Sequence, residues 1–238
     1  MWYPSNKQEL ENFIEKSFKQ ELSLKEFPEK IHGLIVPHAG YEYSGLIAGK
    51  AFSLIKDKKF QKAVVIGPSH YKPINNLLTT NKKYLETPLG NIQTFNIDFQ
   101  ESDISNEHSI NNQIPFLQKL GIKEIMPLMI GDIDLKQAQE IAKKISKISD
   151  CLYVFSTDLS HFLNYDEAQF NDKETIHIIE TNDIRTFESI DACGAFPLLI
   201  MSYLCKILKT KPKLVEYKNS GDITGDKSGV VGYASLWF

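Results

Sequence analysis

Residues 31–38 read IHGLIVPH, an apolar, β-branched run that stops at a proline and then presents a histidine. The run is too short for a helix, and its closing residue cannot continue a hydrogen-bonded ladder, so it predicts a buried strand over 31–36. The same order recurs at 63–70, AVVIGPSH, and at 152–161, LYVFSTDLSH. Each stretch is a short hydrophobic strand, a turn and a histidine: His38, His70 and His161. If the three strands are parallel, the three imidazoles leave one rim of one sheet.

The remainder of the chain supplies the elements such a sheet needs. Helical periodicity or capping predicts helices over roughly 6–20, 44–55, 110–120, 134–148, 166–180, 183–190 and 196–208. The first is opened by Ser5 and Gln8, read as a capping box. Further strands are predicted at 77–80, 92–97, 125–130, 214–218 and 230–238. Short apolar strands alternating with helices predict a layered αβα fold around a central, mostly parallel or mixed sheet. Pockets in such folds open beyond the carboxyl ends of the strands. No repeat, low-complexity tract or Gly/Ser linker interrupts the chain, so residues 1–238 are expected to form a single α/β domain.

Composition narrows the function. Hydrophobic residues make up 42% and charged residues 24%, with a formal net charge of -3. No run of Lys or Arg forms a phosphate stripe, so a nucleic-acid partner is not expected. The opening MWYPSNKQELENF has neither a basic n-region nor an apolar h-region, and no apolar stretch approaches a bilayer span. A membrane protein is therefore not expected. The three cysteines, Cys151, Cys193 and Cys205, are too few for a disulfide framework and contain no CxxC pair. They fit a reducing compartment, and the expected location is the cytoplasm.

Half of the six histidines stand at predicted strand ends. Neutral imidazole is a common ligand for zinc, copper and iron. Each of the three also has a plainer reading: His38 and His70 as turn residues bonding the backbone, His161 as a histidine satisfied by Asp158. His108, in NEHSI, precedes a predicted helix, where capping competes with a place in the pocket. Cys193, in DACGAFP, stands just before a predicted helix, whose N-terminus favours thiolate; a packed, inert thiol is the alternative. Tyr41 and Tyr43 can be pocket walls or core. Asp222 and Asp226, in SGDITGDKSGVVGYAS, can line a pocket or be solvated in a turn-rich loop. That segment is not a P-loop, because the GK[ST] ending is absent.

Taken together, VPHAGYEYSG, IGPSHY, EHSI followed by QIPFL, STDLSHF, DACGAFP and SGDITGDKSGVVGYAS resemble the Memo family, in order and in register from about residue 33 to the C-terminus. The resemblance implies a fold similar to the LigB-type class III extradiol dioxygenases. It implies a pocket with His38, His70 and Cys193 as metal ligands, and His161 in the position of the dioxygenases' acid/base histidine. Asp158 is expected to orient an imidazole. Iron or copper is the implied cofactor, with zinc possible. Two departures stand out. Cys193 occupies the place of a carboxylate ligand, which softens the site. Asn111 stands where the family usually carries Glu, which predicts a pocket short of one carboxylate.

These readings lead to three functional expectations. The first is an iron- or copper-dependent, dioxygenase-like redox enzyme acting on an unknown small molecule, with His161 moving a proton. The second is a non-catalytic module that binds a peptide, a small ligand or a metal. The third, implied by the resemblance, is a partner of a radical-SAM or AMMECR1-like protein in a multi-protein system.

Overall fold

The computed structural model describes residues 2–22, 24 and 28–238. The strands are β1 (Gly33–Val36), β2 (Lys62–Pro68), β3 (Leu77–Thr80), β4 (Tyr84–Thr87), β5 (Gly90–Thr94), β6 (Glu101–Ser102), β7 (Glu124–Ile130), β8 (Cys151–Ser156), β9 (His161–Leu163), β10 (Lys213–Asn219) and β11 (Val230–Trp237). The α-helices are α1 (Lys7–Phe18), α2 (Leu46–Ser53), α3 (His108–Asn111), α4 (Ile114–Lys119), α5 (Leu135–Ile145), α6 (Tyr165–Thr181), α7 (Ala195–Leu208) and α8 (Ser220–Thr224).

The main sheet runs β10-β11-β1-β8-β2-β7-β3-β6. Its centre is parallel: β1 pairs with β8, β8 with β2, and β2 with β7. β11 joins β1 antiparallel, and β3 joins β7 antiparallel, so the sheet is mixed towards its edges. Strands buried on both faces need apolar residues at successive positions rather than alternating ones. GLIV in β1 and CLYVFS in β8 meet that demand, and every residue of both is buried.

Alternate side chains of these strands feed two cores. Ile35, Val64, Ile66 and Phe155 face α5, α6 and α7, through residues such as Ile141, Ile179 and Leu204. Leu34, Val36, Val65 and Val154 face α1, α2 and α4, through Ile14, Phe52 and Phe116. This is the expected three-layered αβα arrangement. Phe52 and Phe116 stack with ring centroids 4.8 Å apart. Full burial of each such side chain contributes roughly 1.5–3 kcal/mol.

Several local expectations change. Asn6, not Ser5, caps α1, its side chain accepting the N–H groups of Gln8 and Glu9. The helix expected over 110–120 divides into α3 and α4, with a proline in the first turn of α4. The segment 183–190 forms a 3-10 turn, Ile184–Ser189, rather than an α-helix. The glycine-rich stretch after β10 begins with the short helix α8, which has a capping box of Asn219 and Asp222. The strand expected at 92–97 is β5, Gly90–Thr94, and it pairs with the unexpected β4 in a hairpin that turns at Gly90, whose φ is 110°. No helix among the described residues is long and apolar enough to cross a membrane.

Candidate metal centre

Because β1, β8 and β2 are parallel neighbours, the segments that leave their carboxyl ends converge at one edge of the sheet. His38 comes after β1 and is buried. His70 comes after β2 and is partly exposed. A third imidazole joins them from α3. His38, His70 and His108 each offer a ligand nitrogen, and these three atoms lie within 4.8 Å of one another.

Each ring is held by an outer partner. His38 Nδ1 is 2.9 Å from Ser156 Oγ, which also accepts the Gln113 amide at 3.0 Å. His70 Nδ1 is 2.8 Å from Glu107 Oε1, and the His70 backbone N–H donates to Oε2 of the same carboxylate. His108 Nδ1 lies 3.0 Å from the Tyr71 hydroxyl and 3.3 Å from Glu107 Oε1. The indole of Trp2 stacks on the His108 ring, with centroids 4.1 Å apart and planes 11° from parallel.

Electrostatics keep His38 and His108 neutral. Burial, reinforced by the neighbouring charge of His70, pulls His38 down to about 3. Burial, with His38 and His70 beside it, pulls His108 down to about 4. Burial works against ionisation of Glu107, but hydrogen bonds from the His70 ring, the His70 backbone and Ser109 overcome it and bring the acid down to about 2. The cluster is therefore two neutral imidazoles and a third tied to a carboxylate, the combination that transition metals take.

Cys193 meets this cluster at His38. Its sulfur is 3.3 Å from His38 Nε2, and it accepts the backbone N–H of Asp158 at 3.3 Å. The expected thiolate is corrected. Burial, then the charge of Asp158, pushes the thiol up to about 12. Desolvation outweighs the field of α7, whose N-cap is Gly194. Cys151 and Cys205 are buried.

The other expected residues take varied places. Asp158 is buried, and its Oδ1 accepts the backbone N–H of His38 at 2.7 Å and of Ala39 at 3.4 Å. It anchors the chain at His38, with His161 near enough to act on its charge. Burial, opposed by that His38 bond, raises its acid to about 6. His161 opens β9, which pairs with β11, and its side chain is exposed beside Phe162. Tyr41 is buried and its hydroxyl donates to Asn112 O at 2.7 Å, a packing role. Asp222 stands apart from the cluster: it caps α8 and accepts the Tyr165 hydroxyl.

Glu107 is the residue that sequence reasoning missed. The expected loss of a carboxylate at Asn111 is corrected by it: Asn111 donates to Ser105 O, while Glu107 supplies the buried acid. The signal was an acidic residue directly before a candidate histidine at a helix start. A cavity of about 380 Å³ borders the cluster, lined by Tyr71, Lys72, Asp103, Ile104, Glu107 and Met129. None of the three histidines lines it; Tyr71 and Glu107, which reach the Nδ1 side of His108, link it to the cluster.

A family model described as "Memo-like protein" matches residues 1–237. A "MEMO1 family protein" of Nitrosopumilus maritimus is 30% identical, with 100% of this chain and 96% of that protein covered. Another, from Methanobrevibacter smithii, is 33% identical, covering 99% of this chain and 95% of the relative. Among solved structures, an uncharacterized protein from Escherichia coli K12 is similar in fold, at a TM-score of 0.56 and 10% identity, over 88% of this chain and 100% of that one.

Proposed function

Since the chain belongs to the Memo-like protein family, we propose that its pocket holds one iron or copper ion and serves dioxygenase-like redox chemistry on a small molecule. The observation that carries this reading is the trio of ligand nitrogens from His38, His70 and His108 within 4.8 Å, with the Cys193 sulfur against His38. The donor set fits a transition metal: imidazole nitrogens with their outer atoms engaged, and a soft sulfur at their side. His38 and His70 are common to the set implied by the resemblance and the set the structure clusters. Cys193 and His108 are the two candidates for the third place.

A bound iron or copper ion would supply one-electron chemistry and Lewis acidity. The chain's own residues do the rest. Glu107 takes the outer ring nitrogen of a neutral His70, so that its Nε2 keeps the lone pair, and Ser156 Oγ fixes the His38 ring through Nδ1. Asp158 fixes the backbone from which His38 projects. The cavity beside Tyr71 and Glu107 offers room for a small substrate. His161, exposed at the start of β9, is the group we assign to proton transfer with that substrate.

The test is the metal content of protein purified without a histidine tag and without oxygen. Near-stoichiometric iron or copper, lost in His38→Ala and His70→Ala, supports the reading, and oxygen uptake is then measured with candidate substrates. Failure of the wild type to hold or take up any of iron, copper or zinc removes it.

A second reading is a non-catalytic pocket for a metal, a small ligand or a peptide, working beside a radical-SAM or AMMECR1-like partner. The Trp2 indole on His108 favours it, because it covers a ring face that a substrate would need. Saturable binding without oxygen uptake is its signature.

A further inference from the structure

We infer that Glu107 is the positioning residue of this pocket: one carboxylate selects the tautomer of His70 and ties His70 and His108 into a single rigid donor pair. The inference deepens the metal-binding reading and rests on it only for the metal-affinity arm below.

The carboxylate is itself immobilised. Oε1 accepts the backbone N–H of Ser109 at 3.0 Å, and Oε2 accepts the backbone N–H of His70 at 2.8 Å. It is thus pinned between the first turn of α3 and the chain leaving β2, and it is 2% exposed. On that fixed support, Oε1 faces His70 Nδ1 at 2.8 Å and His108 Nδ1 at 3.3 Å. An ionised carboxylate only accepts hydrogen bonds. Facing it, a neutral His70 carries its proton on Nδ1, which leaves the lone pair on Nε2. His108 has a choice, because the Tyr71 hydroxyl at 3.0 Å can donate to Nδ1 or accept from it. When His108 donates to Tyr71, its Nε2 keeps a second lone pair for a metal, with the Glu107 carboxylate beside the ring as a charge contact.

Geometry therefore gives Glu107 a task separate from capping α3. A cap needs one acceptor for Ser109. The second oxygen, and the approach of Oε1 to both rings, serve the histidines. Outer partners of this kind orient imidazole and raise its basicity, and losing one typically lowers metal affinity about 10- to 100-fold.

The experiment compares wild type, Glu107→Gln and Glu107→Ala, with ¹⁵N-labelled histidine in metal-free protein and zinc affinity measured by chelator competition. The ring-nitrogen shifts of His70 are expected to show Nδ1 protonated in wild type. Gln keeps one oxygen to accept from His70 Nδ1 and Ser109, while its NH2 replaces Oε2 against the His70 backbone N–H, so it should retain that tautomer on a weaker anchor. Ala should release His70 into a mixture of tautomers and weaken zinc about 10- to 100-fold, with Gln recovering most of the loss. A wild-type His70 protonated on Nε2 overturns the inference without recourse to any variant. An unchanged tautomer or unchanged zinc affinity in folded Glu107→Ala overturns it as well. If the tautomers respond as expected while wild type binds no zinc, the positioning role stands and the metal reading is what fails.

Discussion

The sulfur of Cys193 lies 3.3 Å from Nε2 of His38. With His38 neutral and burial pushing the thiol up to about 12, the proton stays on sulfur, which can donate to His38 Nε2 or to Asp158 O at 3.6 Å. A metal ion taken up at this point must displace that proton. Metal affinity should then rise about tenfold per pH unit between pH 7.5 and 9 in the wild type. Cys193→Ala should flatten the dependence. A flat wild-type profile, measured by chelator competition, would assign the third ligand position to His108 instead, since burial already keeps His108 deprotonated well below this range.

Trp2 and Trp237 are the two tryptophans of the chain, and Trp2 stacks on His108. Binding of iron(II) or copper(II) at the cluster should quench the emission of Trp2 through that contact. Trp2→Phe should remove most of the quenching while leaving metal stoichiometry intact. Equal quenching in Trp2→Phe would mean that the metal sits elsewhere.

Gly67, near the end of β2, lets α3 approach the sheet. A Cβ there would lie 2.4 Å from Ser109 Oγ and 2.9 Å from Ser109 Cβ. Gly67→Ala should therefore push α3 outward, carrying Glu107 and His108 with it. The expected cost is about 1–3 kcal/mol in unfolding free energy, together with weaker metal binding. Ser109→Gly in the same chain should restore part of both. Normal metal affinity in the single variant would show that the site does not depend on this approach.

These contacts explain how much of the molecule could be read in advance. The strand-turn-histidine order of His38 and His70 is local, and parallel pairing of β1, β8 and β2 brings the turns beyond their carboxyl ends together. Glu107 and His108 join through packing between α3 and β2, a contact between distant parts of the chain that no local periodicity records. His161 comes after β8 in sequence and opens the separate strand β9 against β11, from where it acts electrostatically on His38 and Asp158. The state of Cys193 was misjudged because helix position is visible in sequence and burial is not.

Asp172, on α6, is buried with its Oδ1 accepting the Ser160 N–H at 2.9 Å and its Oδ2 accepting the Tyr217 hydroxyl at 2.7 Å. Burial raises its acid despite those two bonds. The folded chain thus binds this proton more tightly than the unfolded chain does. The stability it confers is complete below about pH 3.9, the ordinary value, and is lost as pH rises through the raised one. Asp172→Asn removes this dependence. The variant should match wild type near pH 4 and exceed it at pH 7 in denaturant unfolding. A gap that does not change with pH would place the effect in packing.

Phe162 has a φ of 61° and is 81% exposed. The left-handed region costs a bulky L-residue about 1–2 kcal/mol, and asparagine tolerates it better. An exposed ring returns little burial energy to offset that strain. Phe162→Asn should accordingly raise stability by about 1 kcal/mol in thermal or denaturant unfolding. Phe162 adjoins His161, the residue assigned to proton transfer, and their rings lie 5.9 Å apart. Strain of this kind persists where a side chain's position is used. A stabilised variant with reduced turnover or ligand binding would tie the ring to the site, whereas a stabilised variant with full function would leave Phe162 as strain without a role. Loss of stability would show instead that the ring packs more than its exposure suggests.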